Sequence, residues 1–101
     1  MSATITPTPQ IFADFNAYIT RCGGSPSEWY VGIAKDARER LFVDHKVDIN
    51  GAWIYHLASN HQAARDIEIA YHEAGYRGSH GGGDHRTVFV YAYRITRLTV
   101  E

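Results

Sequence analysis

A single cysteine, Cys22, stands among 101 residues, so no intramolecular disulfide can form and a four-cysteine zinc site is excluded. Long apolar runs are missing too: nothing approaches the roughly 20 residues of a membrane-spanning helix. The N-terminus does not show the charged, apolar and small-residue succession of a secretory signal. A cytoplasmic location without a membrane partner is the expectation. Nor is there an excess of charge of either sign. Ten Lys and Arg against eleven Asp and Glu leave a net charge of −1 with the six histidines neutral. A global basic field that would draw in nucleic acid is therefore excluded, and any such binding must come from a local patch. No segment repeats.

The residues present are those of a folded protein. Hydrophobic side chains make up 45% and aromatic ones 13%, led by seven tyrosines, which argues against disorder. A chain of this length builds one domain around a single modest core. Met1 to Thr8 is small, polar and Thr/Pro-rich, and reads as a flexible lead into one domain over residues 9–101.

Thr8 as N-cap and Pro9 at the first helical position open a helix in which Ile11, Phe12, Phe15, Tyr18 and Ile19 recur at helical spacing. Gly23-Gly24 ends it, and Ser25-Pro26-Ser27 is a turn. Trp29 to Ile33 reads as a buried strand, and Asp36 to about His45 as a second helix capped by Asp36. Ala52 to Ala58 is a second strand of alternating pattern. Ser59 with Gln62 predicts a capping box for a third helix, striped with Ala63, Ala64, Ile67, Ala70, Tyr71 and Ala74 and closed by Gly75. Val88 to Ile95, almost wholly apolar or aromatic, predicts a third strand covered on both faces. The fold class is α+β: a small three-stranded sheet packed with about three helices. Phe12, Phe15, Ile19, Tyr30, Ile54, Ile67, Tyr71, Val90 and Ala92 are expected to share one core.

Trp29-Tyr30-Val31-Gly32-Ile33, followed by Arg40 eight positions past Gly32 and by Glu68 on the third helix, is the most informative pattern. A strand, turn and helix of this kind bring together a phenol, a bare glycine that admits close approach, and a guanidinium. Sites that grip a phosphodiester use such parts with a carboxylate for a metal. Here the chain resembles the GIY-YIG nuclease family. Tyr30-Val31-Gly32 stands for its second signature triplet, Arg40 for its helix arginine and Glu68 for its metal-binding glutamate. The likeness spans roughly Glu28 to Ala74. Where the first triplet belongs the chain has Ala17-Tyr18-Ile19 in a helical segment, and Gly78 to Asp84 replaces the family's asparagine.

The resemblance implies cleavage of nucleic acid with Mg²⁺ or Mn²⁺ held by Glu68. Tyr30 would position the attacking water, Arg40 would grip the phosphate, and His45 would serve as general base. Gly32 would line the substrate site, and, apart from the resemblance, the run Gly81-Gly82-Gly83 offers backbone N–H groups that suit a phosphate. Simpler readings stand beside these. Trp29 and Tyr30 are also core aromatics, Arg40 has Asp36 and Asp44 at helical spacing for ion pairs, and His45 can settle a helix C-terminus. Gly81 to Gly83 can be a positive-φ turn, and His72, His80 and His85 show no helical metal-ligand spacing. The alternative function is a catalytically silent phage- or mobile-element-type accessory module that binds nucleic acid, a nucleotide or a protein partner.

Overall fold

The computed structural model describes residues 4–79 and 83–101. Helix α1, Thr8–Cys22, starts one residue earlier than expected, with Pro7 as N-cap and Pro9 in the first turn, where a missing N–H costs nothing. Ile11, Phe15 and Ile19 form its buried stripe. Gly23, at φ 84°, returns its N–H to the Ile19 carbonyl and stops the helix. The turn expected after it is one 3₁₀ turn, Pro26–Glu28, closed by a capping box between Ser25 and Glu28. Strand β1, Trp29–Ala34, follows and is buried along its whole length.

The second helix departs from a regular α-helix. Asp36 caps it as expected, its carboxylate accepting the Glu39 N–H at 3.0 Å. After one turn, α2 (Ala37–Glu39), it widens into a π turn over Arg40–Asp44. The His45 N–H then reaches the Arg40 carbonyl, and the Val47 N–H that of Leu41. Strand β2 is Trp53–Leu57 and helix α3 is His61–Glu73. The N-cap of α3 is Asn60 rather than Ser59: its side chain accepts the Ala63 N–H at 2.8 Å, while Gln62 turns to Asp66 instead of closing a box. Strand β3 is Phe89–Arg94.

The sheet is antiparallel with order β1-β3-β2, so the last strand in sequence lies at the centre. Its burial on both faces follows from that place. Strand alternation gives each face its own core. Toward α1 and α3 lie Val31, Ile33, Val90 and Ala92 with Ile11, Phe15, Ile67 and Tyr71. Toward α2 lie Tyr30, Ala34, Tyr91 and Tyr93 with Ala37, Leu41 and Val47. The single expected core is therefore two clusters, and Tyr30 belongs to the second, because neighbours along a strand point to opposite faces. The outer edges carry single backbone pairings. Ile5 bridges Leu57 in parallel, which ties down part of the lead segment, and Arg77 bridges Tyr30. Among the described residues no helix is long and apolar enough to cross a membrane.

Ile67 is fully buried in the first cluster. Ile67→Ala is expected to destabilise the fold by ~2–5 kcal/mol through lost burial and a residual cavity, read from urea unfolding midpoints at unchanged slope.

Candidate active site

Gly32, Ile33 and Ala34 line a cleft of about 530 Å³ between the layers. The π turn brings Arg40 and Asp44 to it, α3 brings Glu68, and β3 brings Tyr91. Tyr30, Ser79, Gly83 and Thr87 complete much of the wall. Five residues singled out in the sequence thus share one concavity: Tyr30, Gly32, Arg40, Glu68 and Gly83. His45 does not line it, and Gly81 and Gly82 lie outside the described residues, as does His80. His72 is spoken for structurally, its Nε2–H donating to the Val31 carbonyl at 2.9 Å.

Gly32 is required for space rather than for an unusual φ. A Cβ built there would lie 2.6 Å from the Tyr91 hydroxyl oxygen and 2.7 Å from its Cζ. Gly83, at φ 86°, is the turn glycine that the sequence allowed for.

Tyr30 is a core aromatic whose hydroxyl opens on the cleft. Its ring is buried and stacked on Tyr93 at 5.1 Å, while its hydroxyl lies 3.1 Å from Ser79 Oγ at the cleft. Trp29, by contrast, is a core residue, fully buried with its indole N–H on the Gly23 carbonyl.

His45 reaches the cleft only through a neighbour. Its Nδ1 is 2.6 Å from the Val100 carbonyl, which can only accept, so Nδ1 carries the proton. Nε2 is then a lone pair, and the Tyr91 hydroxyl, 2.7 Å away, donates to it. Tyr91 also lines the cleft, so it stands between the buried imidazole and the opening. Burial holds the His45 pKa below the ordinary imidazole value, with the Val100 carbonyl opposing and Arg40 reinforcing the shift. The ring is therefore neutral at pH 7. Burial also pushes the Tyr91 phenol upward, helped by Tyr30 and Glu68 and opposed by Arg40.

The charged walls are paired with neighbours. Arg40 Nε is 3.1 Å from Asp44, both side chains being about half exposed (46% and 50%). A surface pair of this kind is worth about 0.2–1 kcal/mol, so it holds the guanidinium only weakly. This is the ion pair that the spacing of Arg40 allowed for. Glu68 is far more enclosed than its place on the helical stripe implied, with 4% of its surface exposed. Its Oε1 accepts from Arg65 Nη1 at 2.8 Å. Lys35 reaches Asp84 at 3.5 Å, joining the end of β1 to the loop after α3. The Arg86 backbone N–H, with Lys35 and Arg86 charges added, holds Asp84 down to about 2.

Comparison with family models, with curated proteins and with solved structures gives no match to this chain.

The sequence reading missed Tyr91, Asp44 as a cleft residue, and Arg65. Tyr91 lies in a run where every residue looked like core, and only the register placing it opposite Gly32 reveals it. Tyrosines at alternate positions, Tyr91 and Tyr93, were the available signal.

Proposed function

We propose that the chain is a metal-dependent phosphodiesterase of GIY-YIG type acting on nucleic acid. The observation that carries this reading is the convergence of Tyr30, Gly32, Arg40 and Glu68 on one cleft. These residues come from β1, the π turn and α3, and packing alone does not call for a guanidinium and a buried carboxylate at the same opening.

The donor set suits a hard cation. Glu68 supplies one carboxylate at the wall, and Mg²⁺ characteristically takes few protein ligands and leaves the rest to water and phosphate. When bound at Glu68, Mg²⁺ or Mn²⁺ supplies positive charge to the phosphate oxygens. Arg40 exchanges Asp44 for a non-bridging oxygen and orients the phosphate. The Tyr91 oxygen, its proton directed at His45 Nε2, turns lone pairs toward the cleft and can take a proton from an attacking water. Its own proton passes to Nε2, and the imidazolium formed keeps its Nδ1–H on the Val100 carbonyl. The new P–O bond forms as the leaving oxygen departs, and solvent water protonates that oxygen. His45 is the proton acceptor in this scheme, and Tyr30 positions the water through the hydroxyl it shares with Ser79.

Two ion pairs favour the second reading, a silent binding module. Arg65 holds Glu68, and Asp44 holds Arg40, so both key charges are already compensated. Incubation of the purified chain with plasmid and single-stranded DNA, with and without Mg²⁺ or Mn²⁺, separates the two. The enzyme reading expects ion-dependent products, and Arg40→Ala should lower both affinity and turnover, since the guanidinium meets substrate before and during reaction. Binding without products leaves the module.

A further inference from the structure

The sheet face that carries the second cluster is only partly roofed. The short α2 and the π turn cover Tyr30, Tyr91 and Tyr93, whereas Trp53 and Tyr55 on β2 and Phe89 on β3 stay half-buried. These three rings form a continuous row. Trp53 and Tyr55 lie 6.0 Å apart and within 13° of parallel, and Tyr55 meets Phe89 edge-on at 6.0 Å. At the Trp53 end Phe42 packs edge-on at 5.0 Å, and the Arg38 guanidinium lies 5.2 Å over the Phe42 ring.

Two features say what the row is for. Arg38 is exposed and, among the described residues, is in no ion pair, so a positive charge that no carboxylate neutralises borders the aromatic surface, resting on the Phe42 ring. The row is also continuous with the cleft: Tyr55 pairs directly with Tyr91, the residue that forms the cleft wall. Aromatic faces beside an exposed cation with no carboxylate on it match a polymer of flat bases and phosphates. Every base offers a π face, so such stacking needs no particular sequence.

We propose that Trp53, Tyr55 and Phe89 form a stacking platform for unpaired bases, with Arg38 on the flanking phosphate, so that the chain takes single-stranded or locally unwound nucleic acid. The platform rests on the phosphodiesterase reading for the class of its ligand. A duplex cannot use it, because paired bases keep their faces stacked on one another.

Trp53 is its own reporter. The chain has two tryptophans, and Trp29 is fully buried on the far side of the sheet. Titrating the chain, without divalent ion, with a short oligothymidylate should quench the emission of Trp53, while a duplex of equal phosphate concentration or heparin leaves it nearly unchanged. Tyr55→Leu keeps apolar bulk but removes the ring, and should weaken binding of a labelled oligothymidylate at least about fivefold, the loss of one base–aromatic stack. Ile69→Ser, on the exposed side of α3, should bind as the wild type does. Thermal melts of each variant exclude unfolding as the cause.

Absence of quenching, equal quenching by heparin, or unchanged affinity in Tyr55→Leu would overturn the platform. So would sedimentation showing that this face joins two copies of the chain, with Tyr55→Leu dissociating them. Quenching without ion-dependent products would remove the phosphodiesterase reading and keep the platform. Products from single strands that Tyr55→Leu neither slows nor binds less well would do the reverse.

Discussion

Glu68→Gln is expected to abolish Mg²⁺- or Mn²⁺-dependent cleavage, with a loss of at least about a hundredfold in turnover. The substitution preserves the shape of the side chain and one carbonyl oxygen, so Arg65 retains an acceptor where it now has Glu68 Oε1 at 2.8 Å. What goes is the negative charge that would anchor a divalent ion. Arg40 and Tyr91 remain in place, so binding of a single strand should change little. The measurement is paired: circular dichroism and oligonucleotide affinity near wild type, with product formation at background. Glu68→Gln turning over at the wild-type rate would sink the assignment of the metal to this side chain. In a silent module there is no ion-dependent cleavage to lose, and the wild-type assay already shows it.

Gly32→Ala should destabilise the fold and disturb the cleft through one added methyl. Its Cβ would press on the Tyr91 hydroxyl and Cζ at 2.6 and 2.7 Å and lie 3.1 Å from Tyr30 Cε1. Tyr91 has no easy retreat, because it is 1% exposed and its hydroxyl is fixed on His45. Overpacking of this kind costs about 1–3 kcal/mol, and in a domain this small each kcal/mol lowers the melting temperature by about 4–8 °C. The Tyr91–His45 hydrogen bond should be lost as the ring moves, so cleavage should fall with stability. Tyr91→Phe in the same chain relieves only the contact with oxygen, since the ring carbon still lies in the way. Partial recovery of the melting temperature is therefore expected from that double variant. An unchanged melting temperature for Gly32→Ala alone would show that the strand pair can part freely at this point.

The helices and strands were legible because their periods are clean. Ile11, Phe15 and Ile19 mark one face of α1, and the all-apolar stretch around Val90 to Tyr93 marks a strand with no solvent face. Boundaries shifted where two residues compete for one role, as Ser59 and Asn60 do for the cap of α3; the residue whose oxygen meets the third N–H prevails. The π turn was hidden, since one extra backbone residue per turn leaves no mark in a pattern read at α-helical spacing. That turn is what carries His45 inward to the Val100 carbonyl and Tyr91. Sheet order was hidden as well. Chain order does not reveal that β3 separates β1 from β2, and without it Tyr91 could not be set opposite Gly32. The enclosure of Glu68 escaped for a related reason: a helical wheel locates a side chain around one axis but cannot see the strands β1 and β3 that α3 packs against, or Arg65 folded onto the carboxylate.

Placing the final strand in the middle has a consequence for how the chain is born. On the ribosome β1 and β2 emerge long before their common partner, and neither borders the other in the finished sheet. Until Phe89–Arg94 leaves the exit tunnel, the nascent chain holds helices and two ribbons that lack their common partner, one of them bearing Trp53 and Tyr55. Closure must then come late and at long range, a route that slows folding and lengthens the time during which apolar ribbons are open to wrong partners. A stalled or prematurely terminated chain lacking those six residues would contain most of the cleft's side chains and no sheet to hold them.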